Sequence, residues 1–127
     1  MSRFLLICLG GALGTGARYL ISCWSLKLMG PAFPYGTLAV NLLGSFLIAA
    51  LMYMGTEAAL LSETTRLFLT TGILGGFTTY SAFSYETLRY FQVGSWHVAL
   101  LYVVATVLGC LAACLLGWTG ARSFLGA

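Results

Sequence analysis

The chain has 127 residues, of which 60% are hydrophobic and only 7% carry a charge. Soluble domains carry roughly 25% charged residues, so this composition predicts an integral membrane protein embedded in a lipid bilayer. The chain has only six basic and three acidic side chains, and the basic ones do not cluster along the sequence. This excludes a nucleic-acid-binding protein. A single histidine, with no visible pair of nucleophile and base, argues against a membrane enzyme.

Several apolar segments are long enough to cross the hydrocarbon as helices, which takes about 20 residues. The segments are 4–28, 35–54, 65–91 and 97–119, joined by short connections. The first segment contains Arg18 and continues past any plausible cleavage point, so it indicates a retained helix rather than a secretory signal. We therefore predict an all-α membrane protein with one transmembrane domain over residues 1–127 and four spanning helices.

Arg18 is the one charge well inside the first predicted helix. An intramembrane charge points to a transport pathway. The alternative is that this long side chain reaches the membrane interface, because it lies past the middle of the helix. The same helix carries Gly10 and Gly14, with Gly16 and Ala17 close by, which suits close helix association in lipid.

The polar residues of the second predicted helix share one face. Thr37, Asn41 and Ser45 are spaced four apart, which puts them on one side of a helix. A lone hydroxyl in a membrane helix usually bonds to the backbone of its own helix. The amide of Asn41 has no such partner, so we predict that Asn41 lines a polar pathway.

The third predicted helix is interrupted at residues 75–84, where the sequence reads Gly-Gly-Phe-Thr-Thr-Tyr-Ser-Ala-Phe-Ser. Paired glycines and side-chain hydroxyls loosen a helix and put polar groups at membrane depth. Irregular backbone is tolerated there only where it is buried in protein or lines a polar cavity. We therefore predict a break near the middle of this helix, at a transport site. The rings of Phe77, Tyr80 and Phe83 either present their electropositive edges to that site or pack in the core.

The fourth predicted helix combines a polar track with a stripe of small residues. The track is Tyr102, Thr106, Cys110 and Cys114, and the stripe is Ala105, Gly109, Ala113 and Gly117. Such stripes serve packing within a chain or between chains, and several on so small a protein favour an oligomer. The spacing of Cys110 and Cys114 suits neither a metal site nor a disulfide, so these thiols, with Cys8 and Cys23, are predicted to be free.

The predicted lining offers amide, hydroxyl and guanidinium donors, which favours an anion as the transported species. The carboxylates of Glu57, Glu63 and Glu86 all lie at or toward helix ends, whereas a cation path requires acidic rings or convergent carbonyls. Glu86 and Arg89 are three residues apart. They either pair on the helix surface or rim a vestibule.

Basic residues barely distinguish the two membrane faces. Arg3, Arg66 and Arg122 lie near the face that carries the termini, and Lys27 and Arg89 lie near the other. This bias hardly specifies an orientation under the positive-inside rule. The chain therefore either has one weakly specified orientation or inserts both ways, which permits an antiparallel homodimer.

The sequence at 75–84, followed by Glu86, resembles the Gly-Gly-x-Thr-Thr-Phe-Ser-Thr-Phe-Ser…Glu signature of the CrcB/Fluc fluoride channels. Further motifs also match this family, and together they cover essentially the whole chain. They are Gly14…Gly16-Ala17-Arg18-Tyr19, Pro34-Tyr35-Gly36-Thr37…Asn41-Leu42-Leu43-Gly44, and the hydroxyl track of the fourth helix.

The resemblance implies an antiparallel, dual-topology homodimer in the inner membrane of a bacterium, with two pores that export fluoride passively. It also implies a structural sodium ion between the subunits, bound by the main-chain carbonyls of Gly75 and Thr78. The implied fluoride pathway comprises Asn41, Tyr80, Ser81, Phe83, Tyr102 and Thr106, with Arg18 at the vestibule and Glu86 near the pore mouth.

The chain departs from the family pattern at Tyr80, where Phe is usual, and at Ala82, where Thr is usual. These changes add one hydroxyl and remove another, which bears on conduction rate and ion position.

One competing hypothesis is a small dual-topology exporter of cationic drugs. That class needs a carboxylate in the first helix, where this chain has Arg18. A second is a non-conducting assembly subunit, whose polar residues serve only helix packing.

Overall fold

A computed structural model describes residues 2–126, and all regular structure in that range is helical. The α-helices are α1 (Ser2–Met29), α2 (Tyr35–Met52), α3 (Glu63–Leu67), α4 (Gly75–Phe77), α5 (Tyr80–Gln92) and α6 (Trp96–Phe124). Wider π-helical turns continue α2 over Tyr53–Glu57 and join α3 to α4 over Phe68–Leu74.

Within the described residues, three continuous helices are long and apolar enough to cross a membrane, namely Ser2–Met29, Tyr35–Glu57 and Trp96–Phe124. They contain the predicted segments 4–28, 35–54 and 97–119, and the last helix continues well past Thr119. The segment predicted at 65–91 is divided between residues 63–77 and α5.

The break in this divided segment consists of Thr78 and Thr79, both with extended backbone. The N–H and hydroxyl of Thr78 both donate to the Leu74 carbonyl, at 3.0 and 2.9 Å, which closes the end of α4. The Thr79 hydroxyl accepts from the Ala82 N–H at 3.2 Å and so caps the start of α5. The two threonines therefore end one helix and begin the next.

Glycines bring α1 against residues 68–77 at backbone distance. A Cβ on Gly14 would collide with the Ile73 carbonyl, and one on Gly76 with the Gly11 carbonyl. On the other side of the fold, a Cβ on Gly117 of α6 would collide with the Phe46 carbonyl of α2. These small residues therefore serve packing within the chain.

Contacts at the two ends of the bundle fix how the segments run. At one end, Arg3 forms an ion pair with Glu63 at 3.3 Å, and the rings of Tyr53 and Trp118 pack edge to face at 5.1 Å. At the other end, the Tyr90 hydroxyl donates to the Ala32 carbonyl at 2.9 Å. The two chain ends of the described part therefore lie at the same end of the bundle.

The cysteines within the described residues are free, as the sequence predicted. The Cys114 thiol lies 3.2 Å from the Ser45 carbonyl oxygen, a weak hydrogen bond between α6 and α2.

Candidate functional site

Asn41 of α2 binds the backbone of the break. Its amide Nδ2 donates to the Thr79 carbonyl at 3.0 Å, and its Oδ1 accepts from the Thr79 N–H at 2.8 Å. Both Asn41 and Thr79 are buried. A side-chain amide carries two N–H donors, and one of them is used here. The sequence indicated that Asn41 needed a partner outside its own helix, but nothing in the spacing identified Thr79.

A groove of about 430 Å³ runs between α2, α6 and the break. Its polar wall consists of Asn41, Ser45, Thr70, Thr78, Thr79, Tyr80, Thr106 and Cys110. Phe83 also lines the groove. Tyr80 and Leu111, in the same wall, are largely exposed, at 79% and 65%. The groove therefore lies at the surface of the single chain.

Thr106 differs from many other hydroxyls of these helices. Six of them donate to the carbonyl four residues earlier, at 2.7–3.0 Å: Thr56, Thr70, Thr78, Ser84, Thr87 and Thr119. The Thr106 hydroxyl oxygen is buried and has no hydrogen-bond partner among residues 2–126. Since a buried hydroxyl without a partner costs about 1–3 kcal/mol, this position in the groove wall calls for an explanation.

Aromatic rings form a continuous edge-to-face ladder from the groove to the loop between α1 and α2. The ring centroids are 5.7 Å apart for Tyr80 and Phe83, 5.1 Å for Phe83 and Tyr102, and 5.3 Å for Tyr102 and Phe33. Phe77 is not part of this ladder, because it packs in the core with Val40 and Leu74.

Glu86 accepts two hydroxyl donors near the end of this ladder. Thr37 donates to its Oε1 at 2.7 Å, and the Tyr102 hydroxyl donates to its Oε2 at 3.1 Å. The Glu86–Arg89 pairing allowed by the sequence is not formed, since the ion pair in the described part of the chain joins Arg3 and Glu63. Glu86 and Arg89 instead border a second cavity of about 360 Å³.

Arg18 and Ser81 lie outside the residues that line the groove. The Nε of Arg18 donates to the Gly76 carbonyl at 2.9 Å, and the Thr15 hydroxyl lies 3.5 Å from the same oxygen. Ser81 is exposed, with its hydroxyl 3.3 Å from that of Thr79. The contact of Arg18 with the break was not predicted, because sequence gives no signal for a bond between residues so far apart.

The carbonyl oxygens at the break divide into two groups. Those of Gly76 and Thr79 accept side-chain donors. Those of Gly75 and Thr78 receive no donor from residues 2–126. Gly75 is exposed and Thr78 is half-buried. The chain therefore presents unpaired carbonyl oxygens at the middle of its divided segment, and such oxygens are hard ligands suited to a cation.

The model of the family described as CrcB-like protein, Camphor Resistance (CrcB), matches residues 5–118. A protein of Anaeromyxobacter dehalogenans named fluoride-specific ion channel FluC is 56% identical over 113 residues, which cover 89% of this chain and 90% of that protein. A protein of the same name from Sorangium cellulosum is 48% identical, over 98% of this chain and 98% of that protein. Another from Chloroflexus aurantiacus is 43% identical, over 99% of this chain and all of that protein.

The relatives are bacterial, and the three long apolar helices suit repeated membrane crossings. The chain is accordingly a multi-pass protein of the bacterial inner membrane, and the family is one of ion channels rather than enzymes. The sequence motifs identified the right family: this chain belongs to the CrcB family.

Proposed function

We propose that the chain forms a passive, fluoride-selective channel that exports fluoride from the cytoplasm. The observation that carries this proposal is the Thr106 hydroxyl, which is buried and has no partner among residues 2–126, at a position in the groove wall. A donor left unpaired at membrane depth is costly, and a small anion in the groove would supply the missing acceptor. The names of the relatives, fluoride-specific ion channel, agree with an anion of this size.

Other groups of the wall suit the same ion. The second N–H of the Asn41 amide is not used by Thr79 and remains a donor for an anion. Phe83 lines the same groove as Thr106 and Asn41. The edge of its ring is electropositive and attracts an anion without competing for protons. In this proposal Tyr80 and Ser81 contribute near the break, and Tyr102 and Glu86 act at the mouth, beyond the ring of Phe83.

We propose further that two chains pair in opposite orientations and form two pores. The groove is at the surface of the chain, and residues of its wall such as Tyr80 and Leu111 are largely exposed. A second copy packed there would cover them and close the groove. The weak difference in basic residues between the two ends supports insertion in both orientations.

A structural sodium ion between the two chains is part of the same proposal. The carbonyl oxygens of Gly75 and Thr78 lack donors within residues 2–126, so they fit the requirement for hard oxygen ligands. Pairing two chains at the break would bring two such sets together, and uncompensated carbonyl oxygens repel one another in low dielectric. A monovalent cation relieves this repulsion.

The experiment is a flux measurement on purified protein in liposomes loaded with potassium fluoride. Adding a potassium ionophore removes the electrical limit on passive anion exit. We expect rapid fluoride release by the fluoride electrode and no comparable chloride release from matched chloride-loaded liposomes. Equal chloride release, or no fluoride release from folded protein, contradicts the channel. An exporter of cationic drugs would instead require a proton gradient.

Thr106→Val tests the carrying observation, because valine keeps the shape of threonine and removes the hydroxyl. We expect fluoride release to fall by about tenfold or more, the effect of about 1.4 kcal/mol on the barrier. The matched control is Thr87→Val, which removes a buried hydroxyl already bonded to the Phe83 carbonyl at 2.7 Å. Equal effects of the two substitutions would show that Thr106 has no special role in conduction.

A further inference from the structure

The carbonyl oxygen of Gly76 is bonded from α1, whereas that of Thr79 is bonded from α2. The Nε of Arg18 lies 2.9 Å from the Gly76 oxygen in a partly buried setting, and the Thr15 hydroxyl lies 3.5 Å from it. Gly76 is near the end of α4, where a helix leaves its last carbonyls without intrahelical partners. A cationic donor is the favoured partner at such an end.

The position of Arg18 follows from the packing of α1. Gly10, Gly14 and Arg18 are four residues apart and so share one face of the helix. A Cβ on Gly14 would collide with the Ile73 carbonyl, and one on Gly10 would lie 3.1 Å from the Gly72 Cα. Arg18 is the next residue on the face of α1 that packs against residues 68–77, and its Nε bonds to the Gly76 carbonyl.

The side-chain donors at the break leave a specific pair of carbonyls unpaired. Arg18 donates to the carbonyl oxygen of Gly76, and Asn41 donates to that of Thr79. The oxygens of Gly75 and Thr78 receive no donor from residues 2–126. Arg18 itself does not line the groove. We infer that Arg18 is a positioning residue for the cation site: by bonding to Gly76 it fixes the end of α4, so that the Gly75 and Thr78 carbonyls are the ones presented to the cation.

This inference rests on the proposed sodium site, and it differs from a role in attracting anions. A charge that attracts fluoride would act through its field, so lysine would replace it and added salt would weaken it. A positioning role depends on the single bond from Nε, which the planar guanidinium holds in place, whereas lysine carries its charged donor at the end of a flexible stem. The two roles therefore predict different results for the same substitutions.

The test measures thermal unfolding of the purified full chain in detergent as sodium replaces a large organic cation at constant ionic strength. We expect sodium to raise the melting temperature of the wild type with a defined half-saturating concentration. Arg18→Met should raise that concentration about tenfold, the effect of losing one charge-assisted hydrogen bond. Arg18→Lys should raise it by about threefold, because lysine keeps a charged donor but not the planar group that holds Nε at the Gly76 carbonyl. Arg89→Met, which removes an exposed arginine of α5, is the matched control and should leave it unchanged.

Unchanged half-saturation in Arg18→Met, with the melting temperature lowered equally at all sodium concentrations, overturns the inference and leaves the proposed channel intact. If Arg18→Met does not fold, Arg18→Lys decides, and a wild-type value there also overturns it. Slower fluoride release with normal sodium dependence would assign Arg18 to the anion instead. A wild type that conducts fluoride without responding to sodium removes the cation site, and this inference with it.

Discussion

Asn41 and Thr79 exchange two hydrogen bonds, at 3.0 Å from the amide to the carbonyl and at 2.8 Å from the N–H to the amide oxygen. The planar amide of Asn41 thus pairs the backbone N–H and carbonyl of Thr79, which in an unbroken helix would bond to the backbone of neighbouring turns. Lipid supplies no hydrogen bonds at this depth, so both backbone groups would otherwise be unpaired. Because Asn41 also lines the groove, it joins the structure of the break to the wall of the proposed pore.

Replacing Asn41 by leucine keeps the approximate volume and removes both bonds. We expect a loss of stability of about 1–3 kcal/mol for each backbone group left buried and unpaired. Denaturation of the purified protein in detergent measures the loss. Ser45→Ala is the control, one turn along the same face of α2, and should change stability little. A similar stability for both variants would mean that water or rearranged backbone satisfies Thr79.

Thr37 and Tyr102 donate to separate oxygens of the Glu86 carboxylate. We therefore predict that the stability effects of replacing these two residues are coupled. Thr37→Val and Tyr102→Phe each remove one donor and should each destabilise the fold by about 1–3 kcal/mol. The double variant leaves the carboxylate without either hydroxyl. Its loss in free energy of unfolding should therefore exceed the sum of the two single losses by about 0.5 kcal/mol or more.

A double-mutant cycle in detergent measures this coupling. The matched cycle pairs Thr37→Val with Tyr90→Phe, whose hydroxyl donates to the Ala32 carbonyl instead of to Glu86. That cycle should be additive. Additivity in the first cycle as well would show that the two hydroxyls do not share the carboxylate in the membrane protein.

Phe83→Ile should abolish fluoride release while leaving the paired protein intact. The ring of Phe83 lies between those of Tyr80 and Tyr102, at 5.7 and 5.1 Å, and isoleucine offers no electropositive edge. The liposome assay measures conduction, and size-exclusion chromatography measures assembly. Phe77→Leu provides the contrast, because Phe77 packs in the core and its loss should lower stability rather than conduction. Normal release by Phe83→Ile would remove the ring edge from the mechanism.

The sequence predicted the features that depend on local composition. Long apolar runs predicted the membrane helices, and the paired glycines and threonines predicted the break at which Thr79 adopts extended backbone. Asn41 could be recognised as a residue that needs a partner. Its partner could not be identified, since Thr79 is 38 residues away and offers only backbone. Arg18 shows the same limit, because 58 residues separate it from the carbonyl that it binds.

The close contact of α1 with residues 68–77 predicts different effects for two neighbouring glycines. Gly14→Ala puts a Cβ into the Ile73 carbonyl, whereas nothing lies within 4 Å of a Cβ on Gly16. We expect Gly14→Ala to destabilise the fold by about 1–3 kcal/mol or to prevent folding. Gly16→Ala should be neutral or stabilise the helix by up to about 1 kcal/mol. Melting temperatures in detergent distinguish them, and equal values would contradict the packing of α1.

Insertion in both orientations is the prediction that bears most directly on the antiparallel pair. Arg3, Arg66 and Arg122 at one end only slightly outnumber Lys27 and Arg89 at the other. After the free cysteines are replaced, Ser123→Cys gives one exposed thiol near the terminus. We expect a membrane-impermeant maleimide to label part of the protein in intact cells and the remainder only after lysis.

Ser2→Lys and Leu125→Lys replace two exposed residues at the end of the bundle that carries the termini. Together they should bias insertion toward the orientation with this end in the cytoplasm. Labelling of Ser123→Cys should then require lysis, and fluoride release should fall because oppositely oriented partners become scarce. Release should return when this variant is expressed with a second one that carries Gln92→Lys and Val93→Lys, two exposed positions at the other end. Labelling of the starting variant from one face only, with full fluoride release, would exclude the antiparallel arrangement, because a channel of uniformly oriented chains would then suffice.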